Sequence, residues 1–184
     1  EELARLERLG RTLQGLDKRV LQPIQLQRSE ISLARIIQGS VANFEPIATK
    51  LGITLVTKLS STLPILYADE DRLIQVLTNL LDNALKFTPR GGTVTVAAGK
   101  QTDTVWVKVS DTGIGIAPDE LPSLFQQFYR GAESRPPEKR GMGLGLTLCR
   151  EIITAHGGQI EVTSQAGAGA QFTFTLPIAS RLGE

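Results

Sequence analysis

The sequence predicts an α/β fold: a two-layer sandwich in which a mixed, mostly antiparallel sheet carries helices on one face, preceded by an N-terminal helix. Three observations predict it. Segments with apolar residues at helical spacing are interleaved with short segments of period-two alternation, so helices and strands share one core. Neighbouring strand segments are joined by short polar turns, which suits antiparallel pairing. The opening stretch, EELARLERLGRTLQGLDKRV, places Leu6, Leu9, Leu13, Leu16 and Val20 at spacings of 3, 4, 3 and 4, a helical seam set apart from the rest.

That seam supports two readings: an ordinary amphipathic helix packed on its own domain, or a helix that pairs with a partner helix. Pro23 ends it in either case. A second helix is expected from Ser32 through Leu33, Ile36, Ile37, Val41, Phe44 and Ile47 toward Gly52, with Pro46 kinking it or marking a boundary. A strand follows over 53–59, then a turn at Ser60, Ser61, Thr62 and Pro64, then a short extended piece over 65–68. Asp69 is placed to cap a helix over 70–87, closed by Pro89 and the Gly91-Gly92 turn. Strands over 94–98 and 105–109 form a hairpin, and the stretch from Asp111 to Arg140 is rich in Gly, Pro and charge. A helix over 144–155 and strands over 160–164 and 172–176 complete the chain.

Composition excludes several kinds of chemistry. The chain has 184 residues, with 20 Lys and Arg against 19 Asp and Glu, so no overall basic field favours nucleic acid. No apolar stretch is long enough to span a bilayer as a helix. One Cys, Cys149, and one His, His156, leave no internal disulfide and too few soft ligands for zinc, and the compartment is expected to be reducing. The start at Glu1, without Met or a signal-peptide pattern, is expected of a segment cut from a longer polypeptide.

On a helical wheel the segment 70–87 sends Leu73, Val76, Leu77, Leu80, Leu81 and Ala84 to one side and Arg72, Gln75, Asn79, Asp82, Asn83 and Lys86 to the other. A solvated polar face is the simpler account. Two Asn one turn apart are poor helix formers, however, and a solvated face favours Glu and Lys. Amide oxygens followed by a Lys one turn on suit a hydrated Mg²⁺ and a polyphosphate.

Two glycine-rich loops follow. Asp111-Thr112-Gly113-Ile114-Gly115-Ile116 leaves a strand, where alternate glycines let backbone approach a ligand and the Asp offers a fixed acceptor to an amino group; a tight turn capped by Asp is the alternative. Gly141-Met142-Gly143-Leu144-Gly145-Leu146 opens a helix, whose N-terminal amides favour an anion. It is neither a P-loop nor a dinucleotide fingerprint, because no Gly-Lys-Ser/Thr follows, no strand precedes it, and the third fingerprint glycine would fall at Leu146. Between the loops, Leu124, Phe125, Phe128 and Tyr129 form an apolar anchor, and 131–140 reads either as a lid or as a disordered insertion.

Taken in order, DRLIQVLTNLLDNALKFTP, DTGIGI, LFQQFYRG and GMGLGL resemble the N box, first G box, F box and second G box of the catalytic, ATP-binding domain of sensor histidine kinases. The match covers 32–177 and includes the closing segments IITAHGGQIEVTS and QFTFTLP. The resemblance implies the Bergerat fold of the GHKL superfamily, shared with gyrase, MutL and heat-shock chaperone ATPases, and ATP and Mg²⁺ as cofactors. It implies that Asn83 ligates Mg²⁺ with Asn79 beside it, and that Lys86 and Arg130 contact phosphates, with Tyr129 counted among the nucleotide contacts. Asp111 would accept from the adenine amino group, and Gly113 and Gly115 would shape the base pocket. Gly141, Gly143 and Gly145, with the amides of Leu144 and Leu146, would lie against the phosphates and hinge the lid.

Related ATPases carry a Glu general base where this chain has Asn79, which cannot take a proton, so transfer to another nucleophile is expected over hydrolysis. In the family that nucleophile is a His on a dimerisation hairpin, in a motif this chain lacks; His156, in Ala-His-Gly-Gly at a helix end, is expected to cap or pack. Residues 1–31 are then expected to be the tail of the second dimerisation helix with its linker, and 32–180 the catalytic domain. The implied partners are the phosphoacceptor-His dimerisation domain, a response regulator receiver domain and a second copy through the N-terminal helix. Nucleic acid and direct membrane contact are not among them, and the implied location is cytoplasmic. Two other readings remain: a non-catalytic nucleotide-binding or helix-pairing module, and a GHKL ATPase.

Overall fold

In a computed structural model of the chain, residues 24–129 and 143–178 are described. Strand β1, Ser29–Ser32, leads directly into helix α1, Leu33–Leu51. Ser32 caps α1 by accepting from the Arg35 amide, and Gly52, at φ 69°, ends it in the left-handed conformation that a residue with a Cβ adopts only at a cost. Leu33, Ile36, Ile37, Val41 and Ala48 form the buried stripe. Two expectations need correction here. Pro46 does not break the helix, because both it and Ala42, whose carbonyl loses its donor, are exposed to water. Ile47 is 47 % exposed and Ala48 takes the core position instead.

Strands β2, Thr54–Leu59, and β3, Ile65–Ala68, precede helix α2, Glu70–Phe87. The Asp69 carboxylate caps α2 by accepting from the Arg72 amide, with Glu70 and Asp71 in the first turn favouring the positive end of the dipole. At the other end the Thr88 hydroxyl donates to the Ala84 carbonyl at 2.6 Å. Hairpin β4, Thr93–Lys100, and β5, Thr104–Asp111, is followed by a single 3₁₀ turn, then helix α3, Gly145–Ala155, and strands β6, Gln159–Ser164, and β7, Ala170–Pro177.

Five strands form one open sheet in the order β2-β4-β5-β7-β6. Only β2 and β4 run parallel; the remaining pairs are antiparallel. Val94, Val96, Val105, Val107, Val109, Phe172, Phe174 and Leu176 alternate onto the face that meets the helices, and they join Leu73, Leu77, Leu80, Leu81, Ile152 and Ile153 in one core. This is the expected two-layer sandwich. Just before α1, β1 pairs antiparallel with β3 as a separate two-stranded ribbon, and Ile31 is buried. Chain as early as Ile24 packs against the core. The expected helix over 1–20 lies outside the described residues.

Helices α2 and α3 pack antiparallel. His156 at the C-terminus of α3 meets Asp69 at the N-terminus of α2, Cys149 meets Val76, and Gly145 meets Asn79. The N-terminus of α3 therefore opens against the middle of α2.

Candidate functional site

Helix α2 is the spine of the site. Asn79, Asn83 and Lys86 occur at i, i+4 and i+7 and are half-buried, as are Arg72 and Gln75. Asp82, expected on the same stripe, is exposed and faces water with Asp71 and Thr78. The Asn stripe is thus a partly enclosed wall and not a solvated face. The Lys86 ammonium lies 5.7 Å from the Phe87 ring centroid.

At the Phe87 end of α2, the first glycine loop is held close. The Ile114 amide donates to the Phe87 carbonyl at 3.2 Å. A Cβ on Gly113 would collide with that same carbonyl, and one on Gly115, at φ 68°, would collide with the Gln165 carbonyl of the β6–β7 turn. Asp111, the last residue of β5, accepts through Oδ1 from the Gly113 amide at 2.8 Å and from the Ala170 amide at 3.3 Å. Both of these donors use Oδ1. Burial pushes the Asp111 carboxyl above its ordinary range, against the opposing effect of the two amide donors.

The other end of the site is the start of α3. Its N-cap, Leu144, makes no side-chain hydrogen bond to the first turn, whose amides have no partner within the helix. Leu144, Gly145 and Leu146 are half-buried there. Gly143, at φ 72°, accepts from the Phe128 amide at 3.0 Å, and a Cβ on it would lie 2.6 Å from the Tyr129 carbonyl oxygen. Tyr129 is fixed in turn by its hydroxyl, which donates to Glu120 at 3.1 Å. Arg130 and Gly141 lie outside the described residues, as does the expected lid over 131–140.

From Asn79 to Phe87 the helix advances about 12 Å, which separates the Asp111 loop from the α3 amides while Asn83 and Lys86 lie between them. The arrangement offers an amino-group acceptor at one end, anion-binding amides at the other and amide oxygens in the middle.

Sequence reasoning missed the β6–β7 turn. Ser164 accepts from the Ile116 amide at 2.9 Å and donates to the Gly169 carbonyl at 2.6 Å, and a Cβ on Gly169 would strike the Asp111 backbone. The alternating small residues of Ala166-Gly167-Ala168-Gly169-Ala170 were the available signal for such close approach.

Sheet, helices and site together define a nucleotide-binding domain of the Bergerat type. The chain belongs to the family of histidine kinase-, DNA gyrase B- and HSP90-like ATPases, whose family model matches residues 68–180. It is 49% identical over 125 residues to the adaptive-response sensory kinase SasA of Synechococcus elongatus, covering 67% of this chain and 32% of that protein. Against SasA of Rippkaea orientalis the identity is 37% over 174 residues, 94% of this chain and 44% of that protein. The chain thus spans less than half the length of these relatives.

Among solved structures, full-length ShkA in complex with AMPPNP superposes with a TM-score of 0.76 at 32% identity, covering 88% of this chain and 33% of that one. The nucleotide-free catalytic domain of histidine kinase ThkA gives 0.72 at 27% identity, covering 83% of this chain and 96% of that one. ThkA in complex with the response regulator TrrA gives 0.76 at 25% identity, covering 96% and 49%. No helix among the described residues is long and apolar enough to cross a membrane.

Proposed function

We propose that the chain is the catalytic domain of a sensor histidine kinase, binding ATP·Mg²⁺ between α2 and the start of α3 and delivering the γ-phosphoryl group to a His on a dimerisation domain. One observation carries the reading: Asn79, on the half-buried stripe it shares with Asn83 and Lys86, faces the first turn of α3 at Gly145, a glycine the fold does not require. A Cβ at Gly145 would make only ordinary contact, 3.5 Å from Asn79 Oδ1, and its φ is not left-handed. Its missing side chain is space left for a ligand.

The donor set fits Mg²⁺, which takes oxygen ligands and keeps several waters beside phosphate oxygens. Asn83, with Asn79 one turn before it, would hold the ion, and the ion would neutralise phosphate charge. Lys86, Arg130 and the amides of Leu144, Gly145 and Leu146 would bind the phosphates, with Gly141 and Gly143 beside them. Asp111 Oδ2 would accept from the adenine amino group, with Gly113 and Gly115 shaping that end. No carboxylate sits one turn before Asn83 to take a proton from water, so the arrangement favours transfer over hydrolysis.

His156 is not the acceptor. It is 3 % exposed and both ring nitrogens are engaged by backbone, so no phosphoryl group reaches it in the folded chain. The acceptor is then supplied from outside these residues, and 1–31 would be the tail of the second dimerisation helix with its linker, through which two copies pair. A response regulator receiver domain would take the phosphoryl group onward, in line with the partner present in the ThkA–TrrA structure.

The test mixes the chain with ATP, Mg²⁺ and a separately produced dimerisation domain bearing the acceptor His. Acid-labile phosphohistidine on that domain is expected; ATP binding without it overturns the kinase reading in favour of a binding module. Steady phosphate release by the chain alone would mark an ATPase.

A further inference from the structure

The β6–β7 turn grips the Asp111 loop from the side opposite α2. The Gly167 amide donates to the Ile114 carbonyl at 2.7 Å, and the Ala170 amide donates to Asp111 Oδ1 at 3.3 Å. Ser164, the last residue of β6, holds both partners with one hydroxyl. It accepts from the Ile116 amide at the far end of the loop at 2.9 Å, and it donates to the Gly169 carbonyl within the turn at 2.6 Å. The Gly169 carbonyl and the Ala170 amide belong to the same peptide unit. A trans peptide is planar and its C=O and N–H point in opposite directions, so a donor on the oxygen fixes where the N–H is aimed. The bonds therefore run in series from the Ser164 hydroxyl, through the Gly169–Ala170 peptide, to the Asp111 carboxylate, and bonds linked this way polarise and strengthen one another.

A carboxylate at a strand end turns freely about its last bond unless its oxygens are held. Oδ1 of Asp111 is held from two elements, by Gly113 of its own loop and by Ala170 of β7. We propose that Ser164 is a positioning residue of the nucleobase end of the site: through the Gly169–Ala170 peptide it sets the orientation in which Asp111 accepts from the adenine amino group. The proposal rests on the ATP reading above. The role needs an atom that accepts and donates at once, which Thr retains and Ala does not. A hydroxyl that merely closed the turn would affect every nucleotide alike, whereas one that aims Asp111 affects only a ligand that donates to Asp111.

Two readouts on Ser164→Ala and Ser164→Thr separate these roles, with thermal melting confirming that each variant folds. The first compares ATP with purine riboside triphosphate, which lacks the 6-amino group and keeps the phosphates, in calorimetric titrations with MgCl₂. The parent is expected to prefer ATP by at least about tenfold. Ser164→Ala should lose most of that preference through weaker ATP binding, with affinity for the analogue little changed, and Ser164→Thr should keep it. The second follows amide hydrogen exchange in the nucleotide-free chain. Exchange at Ile116 and Ala170 should quicken in Ser164→Ala relative to the core amide of Val107, and Ser164→Thr should restore the parent rates. Equal weakening of both nucleotides overturns the positioning role, and an unchanged rate at Ala170 overturns the link from Ser164 to Asp111. A parent that binds both nucleotides equally overturns the amino-group role of Asp111 and the proposal with it. A parent that binds neither overturns the nucleotide reading itself, a result distinct from either failure of Ser164.

Discussion

The Asp69 backbone amide donates to Nε2 of His156 at 3.0 Å, a buried bond that ties the N-cap of α2 to the C-cap of α3. The other ring nitrogen, Nδ1, lies 2.8 Å from the Ile152 carbonyl, which can only accept. Nδ1 therefore carries the proton, Nε2 is the acceptor, and the imidazole is neutral. The incoming chain is fastened at the same point, where the Gln27 amide donates to Asp69 Oδ2 at 2.7 Å and the Arg28 guanidinium donates to the Ala155 carbonyl at 2.9 Å. The ends of α2 and α3 farthest from the proposed phosphates are thus pinned together, and their relative placement is set before any ligand arrives.

This junction predicts a pH dependence of stability. Burial, the largest cause, lowers the His156 pKa below its usual 6.5; the nearby Arg28 charge acts in the same direction, while the bond to Ile152 and the Asp69 charge oppose them. The unfolded chain then binds a proton that the folded chain resists, so the contribution is fully present above pH 6.5 and is lost as pH falls through the folded-state value. Protonation also converts the Nε2 acceptor into a donor facing the Asp69 amide. Urea unfolding followed from pH 8 to pH 5 should show stability falling below about pH 6.5. His156→Gln should lower stability at pH 8 by about 1–3 kcal/mol and flatten the His-dependent slope. An unchanged slope in the variant would assign the titration to another group.

Two glycines of the site should respond in opposite ways to the same substitution. Gly145 opens α3 with ordinary space around it, so Gly145→Ala should leave the melting temperature unchanged or raise it, by up to about 1 kcal/mol in stability. The added methyl sits where a phosphate would lie, and ATP affinity should fall at least about tenfold. Gly115→Ala meets both φ 68° and the Gln165 carbonyl, and it should cost stability with or without ligand, by about 1–3 kcal/mol. Thermal melting and calorimetric titration with ATP read both effects.

The Cys149 thiol should be inert in the folded chain. Desolvation pushes its pKa up to about 12, more than the Asn79 hydrogen bond lowers it, so the thiolate needed for alkylation is nearly absent at neutral pH. Iodoacetamide at pH 8 should leave Cys149 unmodified over the time that fully modifies it in urea. Comparable rates would show that α3 opens readily from α2.

Much of this was legible in the sequence because it rests on local rules. The bounds of α2 follow from an Asp cap at one end and Thr88-Pro89 at the other, and the apolar stripe from Leu73 to Ala84 is buried as its period requires. The seal between the Asp111 loop and the β6–β7 turn was not legible, because Gly115 and Gln165 are fifty residues apart and meet only through sheet pairing. The β1–β3 ribbon escaped for the same reason: SEIS carries no strand signal of its own and becomes a strand by pairing with ILYA. Asp82 was misplaced because a wheel separates apolar from polar positions but cannot divide the polar arc into a part facing α3 and a part facing water. Asn79 and Asn83, by contrast, stood out because they oppose helix propensity where nothing local demands them.

Asn83 provides the sharpest test of the nucleotide site. It is half-buried on α2, one turn before Lys86's level and one turn after Asn79, and Asn83→Asp changes one nitrogen to an oxygen without altering the shape of the side chain. If phosphates lie between α2 and the α3 amides, the new carboxylate adds a negative charge beside them in a partly desolvated site, where Coulombic repulsion is weakly screened. ATP affinity in EDTA should therefore fall by at least about tenfold, or 1.4 kcal/mol. The loss should shrink when Mg²⁺ is added, because a cation between carboxylate and phosphate offsets the repulsion. Stability without nucleotide should change by less than about 1 kcal/mol, since Asn83 is not among the buried core residues. Calorimetric titrations with and without Mg²⁺ measure both terms, and equal ATP affinity in the parent and the variant under both conditions would remove Asn83 from the site.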